Sequence, residues 1–153
     1  MYDFDVTFEP PAAFVEMNYA ELGLRLRSFR EPLTNSVREV ASPSFVRHFD
    51  VEGPGWEPLK DRTVVTRGEA HPILNRTGLL KAVAGQLNLW DIDAEEASVA
   101  NLPRATYGAF HQFGTQHMAA REWAYLDEDD LEKIEGVFYD WVDNKLEQSG
   151  FND

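Results

Sequence analysis

Gln86-Leu87-Asn88-Leu89-Trp90-Asp91, followed after an acidic turn by Ala97-Ser98-Val99-Ala100, is the stretch that decides the fold. Leu87, Leu89 and Asp91 alternate with Gln86, Asn88 and Trp90, and a period of two belongs to a strand. Two short strands around a turn predict a hairpin. The flanking segments repeat at three and four instead. A small antiparallel sheet set among helices defines an α+β chain.

Downstream, Leu131, Ile134, Phe138, Trp141 and Lys145, flanked by Val137 and Val142, predict an amphipathic helix. Asp127, Glu128, Asp129 and Asp130 crowd its first turn, where carboxylates meet free N–H groups, and are expected as a solvated cap. Residues 148–153 are expected to fray. Thr106 to Phe113 suits a short helix stopped by Gly114, and residues 115–125 read as irregular.

Upstream, Thr77 is expected to cap a helix that carries Leu79, Leu80 and Val83 and stops at Gly85. Glu52-Gly53-Pro54-Gly55-Trp56-Glu57-Pro58 is a loop, and Trp56 needs something to hold it. Residues 59–72 are polar and poorly periodic, so the loop is expected to span 52–72. They carry Lys60, Arg62 and Arg67, the local basic bias of the chain. Pro43 is expected to end or kink a helix over Pro32 to Val40, with Ser42-Pro43-Ser44 capping a further turn.

At the amino terminus, Tyr2, Phe4, Val6 and Phe8 alternate with polar residues and predict a short strand within 1–10. Val15, Tyr19, Leu22, Leu26 and Phe29 predict a helix from Ala12 to Arg30. The expected architecture is a single α+β domain over 1–153. A small antiparallel sheet carries an N-terminal helix and a C-terminal amphipathic helix packed on it, with long loops.

Composition narrows the function. The 153 residues are 43% apolar, enough for one core. Against 14 Lys and Arg stand 27 Asp and Glu, a formal charge of −13. A whole-surface nucleic-acid binder needs the opposite sign, because phosphate neutralisation supplies most of that affinity. Cysteine is absent, which excludes disulfides, thiolate zinc sites and cysteine nucleophiles. No apolar run is long enough for a bilayer, and the acidic start lacks the pattern of a secretory signal, so no membrane partner is expected and assembly is placed in the cytoplasm.

His48, His71, His111 and His117 lack metal-ligand spacing, and there is neither a Gly-x-Ser-x-Gly elbow nor a phosphate loop. No metal, cofactor or catalytic residue is expected. The enzymatic alternative is a small hydrolase using His111 and a nearby carboxylate.

Four segments follow in order: Trp56-Glu57-Pro58-Leu59; Ile73-Leu74-Asn75-Arg76-Thr77-Gly78-Leu79-Leu80; Tyr107-Gly108-Ala109-Phe110-His111-Gln112-Phe113-Gly114-Thr115; and Ala120-Arg121-Glu122-Trp123. This succession, over residues 30 to 135, resembles the phage virion morphogenesis family of tail-completion proteins and the related neck proteins of long-tailed phages. Gly108 stands where that family usually has Ala, Ala119 where it favours Pro, and Trp123 where Phe is common.

The resemblance implies a structural subunit of the head–tail junction, located in the virion. It would form a homo-oligomeric ring, expected as a hexamer, that finishes the tail and meets the tail tube and head–neck proteins. Genomic DNA would pass through an acidic lumen without specific binding. The alternatives are a head-side neck or stopper ring, and a non-virion acidic interaction module.

Candidate motif or interface residues are Trp56, Arg62, Arg67, Thr77, Gly78, Tyr107, His111, Gln112, Gly114, Arg121 and Trp123. Each is expected either to build the monomer's core or to meet a neighbour. Tyr107, Phe110 and Phe113 step by three onto one face, and Arg121, a lone base in an acidic region, is expected in an ion pair. A head-to-tail ring needs two unlike complementary patches. The basic segment 59–72 and the acidic C-terminal helix are the expected pair.

Overall fold

The computed structural model describes residues 6–11, 28–100 and 107–148. Its sheet has three antiparallel strands: β1 (Thr7–Phe8), β2 (Trp90–Ile92) and β3 (Ala97–Val99), in the order β1-β3-β2. Trp90 faces Val99 and Ile92 faces Ala97, while Thr7 faces Ser98 on the other edge of β3. Asp93 closes the hairpin, its Oδ1 accepting the N–H groups of Glu95 and Glu96 at 2.7 and 2.9 Å. The hairpin begins at Trp90, later than the alternation predicts. Leu87–Leu89 form a 3₁₀ turn instead, which buries Leu89 completely.

Helix α1 (Arg30–Ser36), a π turn (Val37–Ala41) and α2 (Ser42–Asp50) run on without a break. Pro43 therefore neither ends the helix nor opens a new one, contrary to the sequence expectation. An α-helical proline sets its ring against the carbonyl four residues back and lacks a donor. Here the preceding turn is wider, with Ser42 N–H bonded to Val37 O, and Ser42 keeps helical dihedrals (φ −64°, ψ −44°). The Ser42 side chain makes no cap.

The remaining helices are α3 (Asp61–Arg67), α4 (Leu79–Ala84), α5 (Tyr107–Phe113) and α6 (Glu128–Gln148). Finding α3 corrects the expected loop over 52–72. It lies on the surface and buries no residue, so it leaves no hydrophobic period to read. Its ends hold it: the Lys60 carbonyl accepts from Thr63 and Val64, Asp61 sits in the first turn, and Gly68 follows with φ +85°. At α4 the cap position is Gly78 (φ +74°), and Thr77 Oγ1 lies a long 3.4 Å from Leu79 N. Thr77 is thus a weak substitute for the expected cap.

Two aromatic layers make the core. Ile134, Phe138 and Trp141 of α6 are buried on the α1 side, where Phe29 lies 5.9 Å from both Phe138 and Trp141. Leu131, expected in that stripe, is 49% exposed. Phe45 of α2 stacks on Trp90 at 5.4 Å and meets Trp123 edge-on at 5.9 Å. The expected helix over 12–30 lies outside the described residues through 27; Ser28 and Phe29 are not helical, and Arg30 already belongs to α1. Tyr2, Phe4 and the tail beyond Gln148 also lie outside them. Among the described residues no helix is long and apolar enough to cross a membrane.

Candidate functional site

The four motif segments converge on one side of α2. The Trp123 side chain is fully buried, and its Nε1–H donates to the Gly108 carbonyl at 2.9 Å. Gln112 Oε1 accepts the N–H groups of both Trp123 and Ala124 at 3.0 Å, and Nε2 donates to Ala124 O at 2.8 Å. One amide thus satisfies three backbone groups of an irregular buried strap that no helix or sheet could serve. Gly114, at φ +73°, turns the chain away from α5; a Cβ there would stand 2.8 Å from Ala120 N and 2.9 Å from Met118 O. Glycine is required at that corner.

The strap is tied to the Trp56 loop from the other side. Trp56 is buried, its Nε1–H donates to Glu122 O at 2.8 Å, and its ring meets Phe49 edge-on at 5.8 Å. Arg121 is buried as well and makes no ion pair among the described residues, which corrects the sequence expectation. Its Nε and guanidinium N–H groups donate to the carbonyls of Glu57 and Pro58 at 2.9 and 3.1 Å, and its own N–H donates to His111 O at 2.6 Å. Carbonyl dipoles stand in for a carboxylate. Trp56, Gln112, Gly114, Arg121 and Trp123 are one interlocked unit.

Through Arg121 that unit borders a groove of about 830 Å³. Helix α3 is one wall, Tyr107 and His111 of α5 stand opposite, and Leu59, Leu74 and Leu80 contribute the apolar lining. Of the predicted residues, Arg62, Arg67, Thr77, Tyr107, His111 and Arg121 line it; Gly78, Trp56, Gln112, Gly114 and Trp123 do not. Lys60 and Arg76 join the lining, which holds five Lys and Arg side chains against one carboxylate, Glu57. Sequence reading weighed Lys60 only as part of a loop and passed over Arg76. In a chain of charge −13 this is a marked inversion of sign.

His111 is half-buried, and its Nδ1 is enclosed without a hydrogen-bond partner. Burial, then the Arg121 charge, pushes its pKa below the ordinary histidine value. Its ring meets Tyr107 edge-on at 5.9 Å, and among the described residues it makes no hydrogen bond with a carboxylate. Phe110 and Phe113 point outward, 39% and 45% exposed, while Gly108, Ala109 and Gln112 form the buried side of α5.

A second polar cluster escaped the sequence. Asp130, expected as part of a solvated cap, is 1% exposed. Its Oδ2 accepts from Ser44 Oγ at 2.5 Å and from Asp127 N at 3.2 Å, and Arg47 lies 3.5 Å from Oδ1. His48, also buried, places Nδ1 2.8 Å from the Trp123 carbonyl and Nε2 3.3 Å from Ser44 Oγ, with Tyr125 stacked on it at 3.8 Å. A carbonyl only accepts, so Nδ1 carries the ring proton. Ser44 and Asp130 are 86 residues apart, and nothing local in either segment announces the bond. Carboxylate oxygens of Asp127, Asp129 and Asp130 lie within 4.8 Å of one another. Capping and the ion pairs with Arg47 and Lys133 account for them.

Compared with protein-family models, curated proteins and solved structures, the chain matches none.

Proposed function

We propose that this chain is a structural subunit of the phage head–tail junction, a tail-completion ring protein. The supporting observation is the convergence just described: the four segments that carry the resemblance, spread over residues 56 to 123, pack as one unit around one groove. The side chains of Trp56, Gln112, Arg121 and Trp123 are spent on holding backbone in place, as a scaffold requires. A net negative surface suits an annulus through which DNA slides, since phosphate is repelled rather than gripped.

Quantitative mass spectrometry of purified particles of the encoding phage tests this. The chain is expected in a small fixed copy number per particle. Its absence from particles, with free chain in the lysate, overturns the proposal in favour of a non-virion module.

A further inference from the structure

We propose that the groove is a receptor for carboxylates presented on a helix, and that its occupant is the acidic row of α6 on a second copy of this chain. This rests on the self-assembly in the proposed function and names the two surfaces that meet.

The first observation is where unpaired positive charge sits. Arg47, Lys81, Lys133 and Lys145 each have a carboxylate within 4 Å. Arg30 and Arg38, exposed elsewhere, and Arg62 and Arg76, exposed together in the groove lining, have none among the described residues. Lys60 Nζ is bonded to a carbonyl, that of His117, at 2.9 Å. The groove therefore holds cations that this copy leaves without counter-charge beside apolar surface, and desolvating such a site needs carboxylates from outside.

The second observation is the matching row. Glu128, Glu132, Glu135, Tyr139 and Asp143 step by four and three along α6, so they share one stripe roughly 22 Å long. None of the four acids has a cation within 4 Å among the described residues. Tyr139, 47% exposed, sits among them. A helix face with four carboxylates complements a groove with several cations.

The third observation is placement. Helix α6 contributes no residue to the groove lining. Row and groove are thus unlike surfaces, and one contact leaves a free groove at one end and a free row at the other. Such a contact repeats from copy to copy, and its rotation sets whether the series closes.

The full chain carries the test through two variants, both changed at positions without partners in the fold. Arg62→Gln with Arg76→Gln blunts the groove; Glu128→Gln, Glu132→Gln and Glu135→Gln blunt the row. Melting curves confirm that each variant folds. Analytical ultracentrifugation at low salt should show wild-type species larger than a dimer, dispersed as the Debye length shrinks. Each variant alone should associate at least tenfold more weakly. An equimolar mixture should stop at the dimer, because only one productive contact exists per pair.

A wild-type chain that stays monomeric at low salt overturns the pairing. So do variants that assemble like wild type, or a mixture no more associated than its parts. Particle composition is read independently: a chain present in virions whose assembly ignores these substitutions sinks this pairing alone, and a pairing seen in solution by a chain absent from virions sinks only the functional reading.

Discussion

Gly108 and Trp123 pack against each other, so the sizes of the two side chains are coupled. A Cβ on Gly108 would stand 3.3 Å from Trp123 Cζ2 and 2.8 Å from Leu80 Cδ1. Leu80 is the tighter neighbour and the indole the second, so a smaller ring at 123 would relieve part of the crowding. Gly108→Ala should destabilise by about 1–3 kcal/mol through overpacking. In a Trp123→Phe background it should cost less, and a double-mutant cycle in urea measures that coupling. Equal costs in the two backgrounds would show the sites independent. His48 makes a different demand. Burial holds its pKa below the ordinary 6.5 despite the Trp123 carbonyl, with Arg47 opposing the proton and Asp130 and Asp127 favouring it. The unfolded ring takes up a proton near 6.5 and the folded ring only at lower pH, so in that window the unfolded state holds more protons and acid favours it. His111 acts with the same sign. The melting temperature should fall from pH 7 to pH 5.5, and less steeply in His48→Gln; parallel slopes would remove His48 from the account. Carboxylates such as Glu52, held low chiefly by the Ile73 N–H, lose their contribution only at still lower pH.

At the scale of elements, legibility followed burial on one face. Helix α6 buries Ile134, Phe138 and Trp141 at helical spacing, so its period shows in the sequence, whereas the step of three legible in α5 (Tyr107, Phe110, Phe113) is its exposed face and only Gly114 marks its end. Helix α3 buries nothing, and only its ends betray it: Asp61 first, Arg67 last, Gly68 after. Leu87–Leu89 alternates like a strand, yet coils because the chain leaving α4 takes one more turn, with Gln86 N–H on Val83 O and Leu89 N–H on Gln86 O. The site was legible in parts. Motif order picked out Trp56, Gln112, Arg121 and Trp123, but their bonds join residues 10 to 66 positions apart, and no local pattern encodes those. Arg76 went unremarked because the groove that gathers it with Lys60, Arg62 and Arg67 is built from segments separated in sequence.

For the molecule as a whole, the distribution of charge carries more meaning than its sum. A total of −13 excludes broad phosphate binding, yet the groove is cationic and only three-dimensional placement reveals it. The long rod from Arg30 to Asp50 sets that placement, since α6 packs on its first half and the strap on its second. Its π turn explains how one rod serves both. Leu33, Val37, Ala41, Phe45 and Phe49 recur every fourth residue, and on an ideal α-helix such a row drifts by about 40° per step. A widened turn takes up one surplus residue and brings the row back into phase. The rod is then an ordinary helix that has absorbed an insertion, and Pro43 is the residue that profits from it. Deleting the exposed Glu39 should keep the same stripe inward but drive the proline ring into a regular turn, at about 3 kcal/mol. Deleting Glu39 together with Pro43→Ala should restore most of that loss in chemical denaturation. The penalty for shortening the rod by one residue therefore falls on Pro43 alone, while the buried row, and with it the groove and the acidic row, keeps its register.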